Sequence, residues 1–562
     1  MISTQMNFMD KNESWSLFKS LAFANEALPS EFETIGKQIA EKCHGLPLTI
    51  VVVAGLLKSK RSIEDWENVA KDVKSFVTNY HDKQCSRELG LSYNHLSSDL
   101  KTCLMHFGIF PEDSEIPVKR LVRSWMAEGF LQLENDLEGE AEKCLQELVD
   151  RCLVLVCKIS LDGTKIRSCK VHDLIYDLCV REIQRENIFI VNDIVLGLLY
   201  SGCVYLSMQI MQPFKRVTGD EICRALLTPV HRQLRDHDNN DLLKRTRSIF
   251  YFRAYSISVL KLELIHFKLL QVLDLSDIKI AGFPQQILRL VWLRYLSLKC
   301  RKNFYIPPEI CRLWNLQAFI VEKPGRSVIT IPEEIWRLMQ FRHLKLPEFN
   351  LPNPPNVSAD KGSHMGFSNI QTISFLSPCC RTKEFIMRIQ NVKELGIRGY
   401  WIYSDGLLNN LVHLQQLETL SLADCSSRFF PASAKAFRET LKKLKLERTW
   451  LSWSDLDIIA ELPNLEVLKL IDGACHNNEW HPNVRGFTRL NVLLIENDLK
   501  YWKVTDDNFP VLECLVLKKC RYLKEIPIEF ADIHSLQLIE LTGCLPELGD
   551  SAVRIQKEQQ DL

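Results

Sequence analysis

Past about residue 246 the apolar positions of this chain recur as one short alternating motif, L-x-x-L-x-L or a near variant, thirteen times. The copies are Arg247–Tyr251, Leu270–Leu275, Leu293–Leu298, Leu316–Val321, Phe341–Leu346, Ile370–Phe375, Val392–Ile397, Leu417–Leu422, Leu441–Leu446, Leu465–Leu470, Leu490–Ile495, Leu512–Leu517 and Leu536–Leu541. Their central apolar positions stand at 249, 273, 296, 319, 344, 373, 395, 420, 444, 468, 493, 515 and 539. Eleven of the twelve intervals lie between 22 and 25 residues and one is 29, so a single register persists through this half of the chain. Alternation with a period of two predicts a strand, its last two apolar positions turned into a core and the residues between them turned away. One copy cannot bury its apolar side alone, so copies must stack.

The segments between strands repeat as well. Phe283–Leu293, Ile306–Leu316, Ile331–Phe341 and Ile526–Leu536 each open with an apolar residue and Pro, then place apolar residues three apart, as a short 3₁₀ stretch does. Together these patterns predict a leucine-rich-repeat solenoid of about thirteen repeats over residues 246–545. Cys425, Cys520 and Cys544 each fall three residues after the last apolar strand position, a slot suited to bonding backbone between repeats. The concave face is expected to meet solvent and partners through Arg294, Tyr295, Arg342, His343, Lys345, Lys442, Lys443, Lys445, Glu466 and Lys469. Its basic cluster, in the fifth and ninth copies, suits an acidic partner surface.

The first half is patterned for helices. Trp15–Phe23, Glu31–Cys43 and Ser62–Phe76 carry apolar residues at three- and four-residue spacing, and Ser30–Glu33 reads as a capping box opening the second. Gly45-Leu46-Pro47-Leu48 interrupts before the apolar run Thr49–Leu57. Leu91–Asp113, Ile116–Leu131 and Glu138–Val156 predict three more helical stretches, followed by a strand pair, Val154–Ser160 and Ile166–Val171, around Asp162-Gly163. Helices followed by a hairpin predict a winged-helix fold. Its presumed recognition helix offers only Lys119, Arg120 and Arg123, which argues against nucleic acid as a partner. The expected divisions are 1–88 helical, 89–186 winged-helix, 187–245 a connector, 246–545 solenoid and 546–562 a charged tail.

Charge changes little in this picture: Lys+Arg and Asp+Glu are both 70 in 562 residues. No whole-chain field draws polyanions. The 19 cysteines include the adjacent Cys379 and Cys380 but no paired CxxC motifs, so they read as reduced, mostly buried side chains and not as metal ligands. The run Gly45–Leu57 is too short to span a bilayer. The uncharged run Ile194–Phe214 holds Ser, Gly, Gln and Pro and reads as buried or irregular, so no transmembrane segment is expected.

Five motifs in one order carry a family resemblance: Trp15–Phe23, Gly45–Leu48, Cys103–Asp113, Trp125–Phe130 and Val171-His172-Asp173. The chain resembles the plant NB-ARC leucine-rich-repeat disease-resistance proteins, in particular the late-blight group of nightshades. The resemblance implies an α+β chain in which a helical ARC bundle and a winged-helix ARC subdomain precede an α/β-type repeat solenoid. It implies an ADP/ATP switch contacted by Gly45, Leu46 and Pro47, with Pro47 on the adenine. His172 would reach the β-phosphate, and Asp173 would hold the start of the following helix.

It further implies an immune receptor for a pathogen effector or a guarded host protein, acting in defence and the hypersensitive response. Its solenoid would rest on its own winged-helix subdomain, in the cytoplasm, with the nucleus or the membrane periphery as alternatives. The chain departs from the family pattern in having no GxxxxGK[ST] loop and no strand ending in Asp-Asp. Those elements hold phosphates and Mg²⁺. The expectation is therefore an N-terminally truncated switch that binds ADP weakly or not at all, hydrolyses nothing and carries no metal. Competing readings are a protein-binding repeat module without signalling, a ubiquitin-ligase substrate receptor, which lacks its F-box helices here, and a nucleotide hydrolase.

Overall fold

The computed structural model describes residues 8–23, 29–58, 62–74, 89–90, 92–131, 136–185, 190–192, 222–227 and 246–252, and most of 264–561. Within the last block, 265–266, 281, 301–303, 323–328, 355–366, 378–382, 400–406, 426–429, 432, 483–485 and 497–498 fall outside the description. So do the uncharged run 194–214 and the pair Cys379-Cys380.

Four helices come first: α1 (Lys11–Phe23), α2 (Ser30–Lys42), α3 (Pro47–Lys58) and α4 (Ile63–Lys74). Their aromatic residues converge on the buried Trp66, with Phe32 at 4.9 Å and Phe23 at 5.4 Å between ring centroids. The capping box expected at Ser30 does not form. Ser30 is already helical, Pro29 holds the cap position, and Glu33 bonds Lys37 one turn on. Gly45 is required where it stands: its φ is +71°, and a Cβ would lie 2.2 Å from the Met9 carbonyl oxygen.

The winged-helix unit follows with α5 (Ser98–Met105), β1 (Ile116–Pro117), α6 (Val118–Glu128), α7 (Leu137–Asp150), β2 (Leu155–Ile159), β3 (Ile166–Lys170) and α8 (Asp173–Arg185). The Ser97 and Asp136 side chains cap α5 and α7, and Gly129, at φ +74°, ends α6. β3 lies between β1 and β2 in a small antiparallel sheet.

All thirteen motifs lie on strands of one sheet, β6 (Thr246–Phe252) through β18 (Leu538–Thr542) in chain order, each parallel to the next. Every central residue pairs with the next central residue, from Ile249 opposite Leu273 to Leu515 opposite Ile539. The return segments adopt 3₁₀ turns, as at Gln285–Arg289, Pro308–Arg312, Glu333–Arg337 and Ile528–Asp532, each capped by its proline. The cysteine slot bonds across repeats: Cys425 Sγ lies 4.0 Å from Ile397 O, Cys520 Sγ 3.6 Å from Ile495 O, and Cys544 Sγ 3.3 Å from Leu517 O.

A second ladder was not anticipated. Side chains in the turn before several strands bond the preceding repeat's backbone. Asn315 donates to Val291 O (3.0 Å), Asn391 to Ser368 O (2.7 Å), Thr440 to Leu417 O (2.8 Å) and Asn464 to Glu439 O (2.9 Å). Both ends of the solenoid differ from expectation. Within the connector, β5 (Ile222–Leu227) pairs antiparallel with β6 and β4 (Ile190–Asn192) antiparallel with β5, and the two extend the first edge of the same sheet. The segment expected as a charged tail forms α9 (Pro546–Asp561), which buries Leu548 and Ile555 against the last repeat and bonds Ile526 through Ser551.

Candidate interaction face

The concave face is not open along its length, because the winged-helix unit sits in it. Phe250, Phe252, Val272, Tyr295, Ala318 and Ile320 point out of the concave side of β6 to β9 (Ala318–Glu322). They share one buried apolar cluster with Phe110, Val122, Trp125 and Met126 of the winged-helix unit. These strand positions carry aliphatic or aromatic side chains because they meet protein and not water.

Charged pairs flank this apolar centre with complementary signs. From α6, Lys119 bonds Glu394 at 2.7 Å, and the Arg120 guanidinium bonds Asp274 at 2.7 Å while lying 5.2 Å from the Phe252 ring centroid. Asp274 is fully buried and also accepts from the Ser276 hydroxyl (2.6 Å) and the Tyr295 hydroxyl (3.3 Å). Where α6 ends, the Ala127 and Glu128 carbonyl oxygens accept from Arg294 and Arg247, both at 3.3 Å.

From the first turn of α7, Glu138 takes both arms of the Arg342 fork, with Arg342 Nε at 2.7 Å from Oε1. Burial alone would raise the Glu138 pKa, but the hydrogen bonds from Arg342 and the nearby His343 ring hold it well below the usual carboxylate range. His343 Nε2 lies 3.3 Å from Glu138, yet burial lowers the ring's pKa to about 4. The ring is therefore neutral at physiological pH and Arg342 supplies the charge. At the wing, Asp162 pairs with Lys443, which also reaches Thr164 at 3.1 Å. Burial opposes ionisation of Asp162 too, but Lys443, Ser160 and Thr164 outweigh it and keep the carboxyl well below its ordinary pKa.

The surface assigned to outside partners thus needs correcting residue by residue. Tyr295, Arg342 and His343 are buried, and Arg294 and Lys443 are engaged by the winged-helix unit. The acidic surface that suits the basic cluster of the fifth and ninth repeats belongs to this same chain. Lys345 and Lys442 remain exposed, Lys445 turns to Glu447 at 2.7 Å, and Glu466 and Lys469 are half-buried. Sequence reasoning missed Glu128, Glu138, Asp162, Asp274 and Glu394. The legible signal was carboxylates and aromatics at concave strand positions, as in Asp274, Glu394 and Phe250.

The residues expected at a nucleotide occupy two loops beside the winged-helix core. Gly45 is buried in its turn. Leu46 and Leu48 pack on the cluster that holds Val171, and Pro47 is exposed at the first position of α3. His172 is exposed, and its Nδ1 accepts from the Leu174 N–H at 3.3 Å, which makes it a cap for α8; Asp173 begins that helix, also exposed. None of these five residues lines the cleft of about 410 Å³ between Phe110–Pro117 and the solenoid residues Phe252 and Asp277. Among the described residues no group of three or more His, Cys, Asp or Glu is placed to hold a metal ion. No helix among them is long and apolar enough to cross a membrane.

Comparison with known proteins finds disease-resistance relatives for this chain. Residues 109–179 match the family model described as the disease resistance protein winged helix domain. The chain is similar along nearly its whole length to late blight resistance proteins of Solanum demissum. It is 32% identical over 99% of its length to the putative late blight resistance protein homolog R1B-16, covering 42% of that protein. It is 31% identical over 99% to the late blight resistance protein R1-A, again covering 42%. The chain therefore spans less than half the length of these curated relatives. Among solved structures, a leucine-rich-repeat protein of Leptospira interrogans matches at 19% identity over 58% of this chain and 92% of its own, with a TM-score of 0.36. The plant peptide hormone receptor RGFR1 in complex with RGF2 matches at 18% identity over 52% of this chain and 51% of its own, with a TM-score of 0.27. Overlap at such scores carries no argument about function.

Two outcomes test the electrostatics. Glu138→Lys or Arg342→Glu alone leaves a buried charge unpaired and should cost about 3–5 kcal/mol, with the double exchange recovering most of it. Chemical denaturation together with amide exchange in α6 and α7 reads this, and single variants that behave like the native chain would count against the pairing. Glu128 gives a pH signature: burial raises its carboxyl to about 7 from an ordinary 4.5, outweighing the attraction of Arg247 and Arg294. A raised carboxyl favours folding below the unfolded value, and that advantage is lost as pH rises through 7. Glu128→Gln should therefore change the melting temperature little near pH 5 and stabilise above pH 7, by at most ~3 kcal/mol. A pH-independent effect would refute the assignment.

Proposed function

We propose that this chain is the regulatory and recognition portion of a plant immune receptor, and that the solenoid holds the winged-helix unit closed until a partner engages the repeats. The docking of α6, α7 and the wing across the concave face, by an apolar centre with matched charges, carries this reading. Such pairs fix one orientation and reject others, which a switch requires more than it requires raw stability. The relatives' names supply the biological direction, resistance to late blight. Recognition of a pathogen effector, or of a host protein that an effector alters, follows as the proposed activity, with defence and the hypersensitive response as its output.

In this reading the chain is not an enzyme and works in the cytoplasm, with the nucleus or the membrane periphery as alternatives. Nucleic acid is not its partner, since Lys119 and Arg120 of the presumed recognition helix are engaged by carboxylates of the solenoid. The ADP/ATP switch belongs to the proposal only as a family property. Gly45–Pro47, His172 and Asp173 offer few groups for a polyphosphate, and these 562 residues contain no GxxxxGK[ST] loop beside them. A protein-binding repeat module that does not signal is the second reading, supported by the extent of the solenoid.

Titration calorimetry with ADP should give no micromolar binding to this chain, and His172→Ala should leave the result unchanged; tight binding would remove the proposed limit on the nucleotide site. Co-purification from infected and healthy leaf tissue, with the full chain as bait, tests recognition. A retained protein should be lost with Leu538→Asp on the concave face and kept with Glu309→Lys on the convex side. Retention indifferent to the concave change would contradict the receptor reading.

A further inference from the structure

The wing covers only part of a ladder of concave side chains that continues past it. Strand register aligns Lys443 with Val467, Val467 with Val492, Val492 with Cys514, and Cys514 with Leu538. The column therefore reads as one cation followed by four apolar rungs, about 4.8 Å apart as neighbouring strands are. The parallel column beside it adds Leu494 and Val516, opposite one another in register. Val467, Val492, Leu494, Cys514 and Val516 form a buried apolar cluster of their own, separate from the solenoid core, and Leu161 at the wing tip packs against it. Asp162, next in sequence, pairs with Lys443. Leu538, on the last rung, is 52% exposed.

We propose that this column is a recognition site for a protein loop or hairpin that presents a carboxylate next to an aliphatic side chain, and that the wing's own Leu161-Asp162 occupies it competitively. The occupant already seated there supplies the ligand chemistry: a carboxylate paired with Lys443 and an aliphatic group packed against the apolar cluster. The uncovered rung at Leu538 gives an outside segment more apolar contact than the wing makes. Leu161 is only half-buried, in contrast to Trp125, and the wing tip meets the column through this leucine and the Asp162–Lys443 pair, so it is the part of the docked unit that exchanges at least cost. A partner bound along the column would displace the wing without first opening the apolar centre around Phe250 and Trp125. This rests on the receptor reading above and specifies where the partner binds and how binding reaches the winged-helix unit.

A labelled, head-to-tail cyclised hairpin of sequence Lys158–Ile166 serves as the probe, and fluorescence anisotropy with the full chain measures its binding. The chain carrying Leu161→Ser and Asp162→Asn, whose own wing no longer competes, should bind the probe at least tenfold more tightly than the native chain. Lys443→Glu added to that variant should abolish the gain, as should a probe lacking the leucine and aspartate side chains. In the native chain, saturating probe should speed amide exchange at Gly163 and Thr164 while α6 stays protected. Equal binding to native and weakened chains, or binding indifferent to Lys443→Glu, would overturn the proposal, as would the absence of binding to a weakened chain whose circular dichroism is native. Competition by the probe with no partner retained from leaf tissue would leave this site standing and remove the receptor reading instead.

Discussion

The structure depends on one constraint: each repeat's central apolar residue lies opposite the next one's, without a slip, from Ile249 to Ile539. A one-residue slip would turn every inward side chain outward, so the buried face enforces the register. Asn, Thr and cysteine side chains reinforce it by bonding backbone from repeat to repeat. The edges are closed by unlike means, antiparallel β4 and β5 at one end and α9 at the other. The result is a frame in which concave residues far apart in sequence keep fixed spacings.

That frame turns scattered charges into a docking surface. Lys119 and Arg120 meet carboxylates on the seventh and second repeats, while Glu138 and Asp162 meet cations on the fifth and ninth. Removing these charges from water is costly, and the paired geometry offsets that cost without making the pairs strong stabilisers. Cohesion comes from the apolar centre, where Phe250, Phe252 and Tyr295 pack on the α6 side of the winged-helix unit. Charge then selects the orientation. Glu128 works the other way, since its carboxyl is buried deeply enough to resist ionisation beside two arginines.

Local patterns were read well where one interaction decides them. The proline-led 3₁₀ turns, the cysteine slot and the wing around Asp162-Gly163 all follow from contacts within a repeat or between neighbours. Patterns with two solutions were read less well. The Ser30–Glu33 pattern suits a capping box, but the chain enters its helix at Pro29 and Glu33 has a nearer partner in Lys37. The segment 546–562 looks like a charged tail because, among its described residues, only Leu548, Ser551 and Ile555 are buried, enough for one helix face to close the solenoid.

From order and spacing alone, the sequence determined the thirteen repeat strands, the repeat register, the convex turns and the presence of a winged-helix unit, because each depends on periodicity over a few residues. Which face of the arc is open was decided only by the tertiary structure. Arg342 and Glu138 are 204 positions apart, and a strand position that faces solvent carries the same period as one that faces another subdomain. Burial of a charge depends on what lies across from it, and that neighbour is set by the three-dimensional path of the chain.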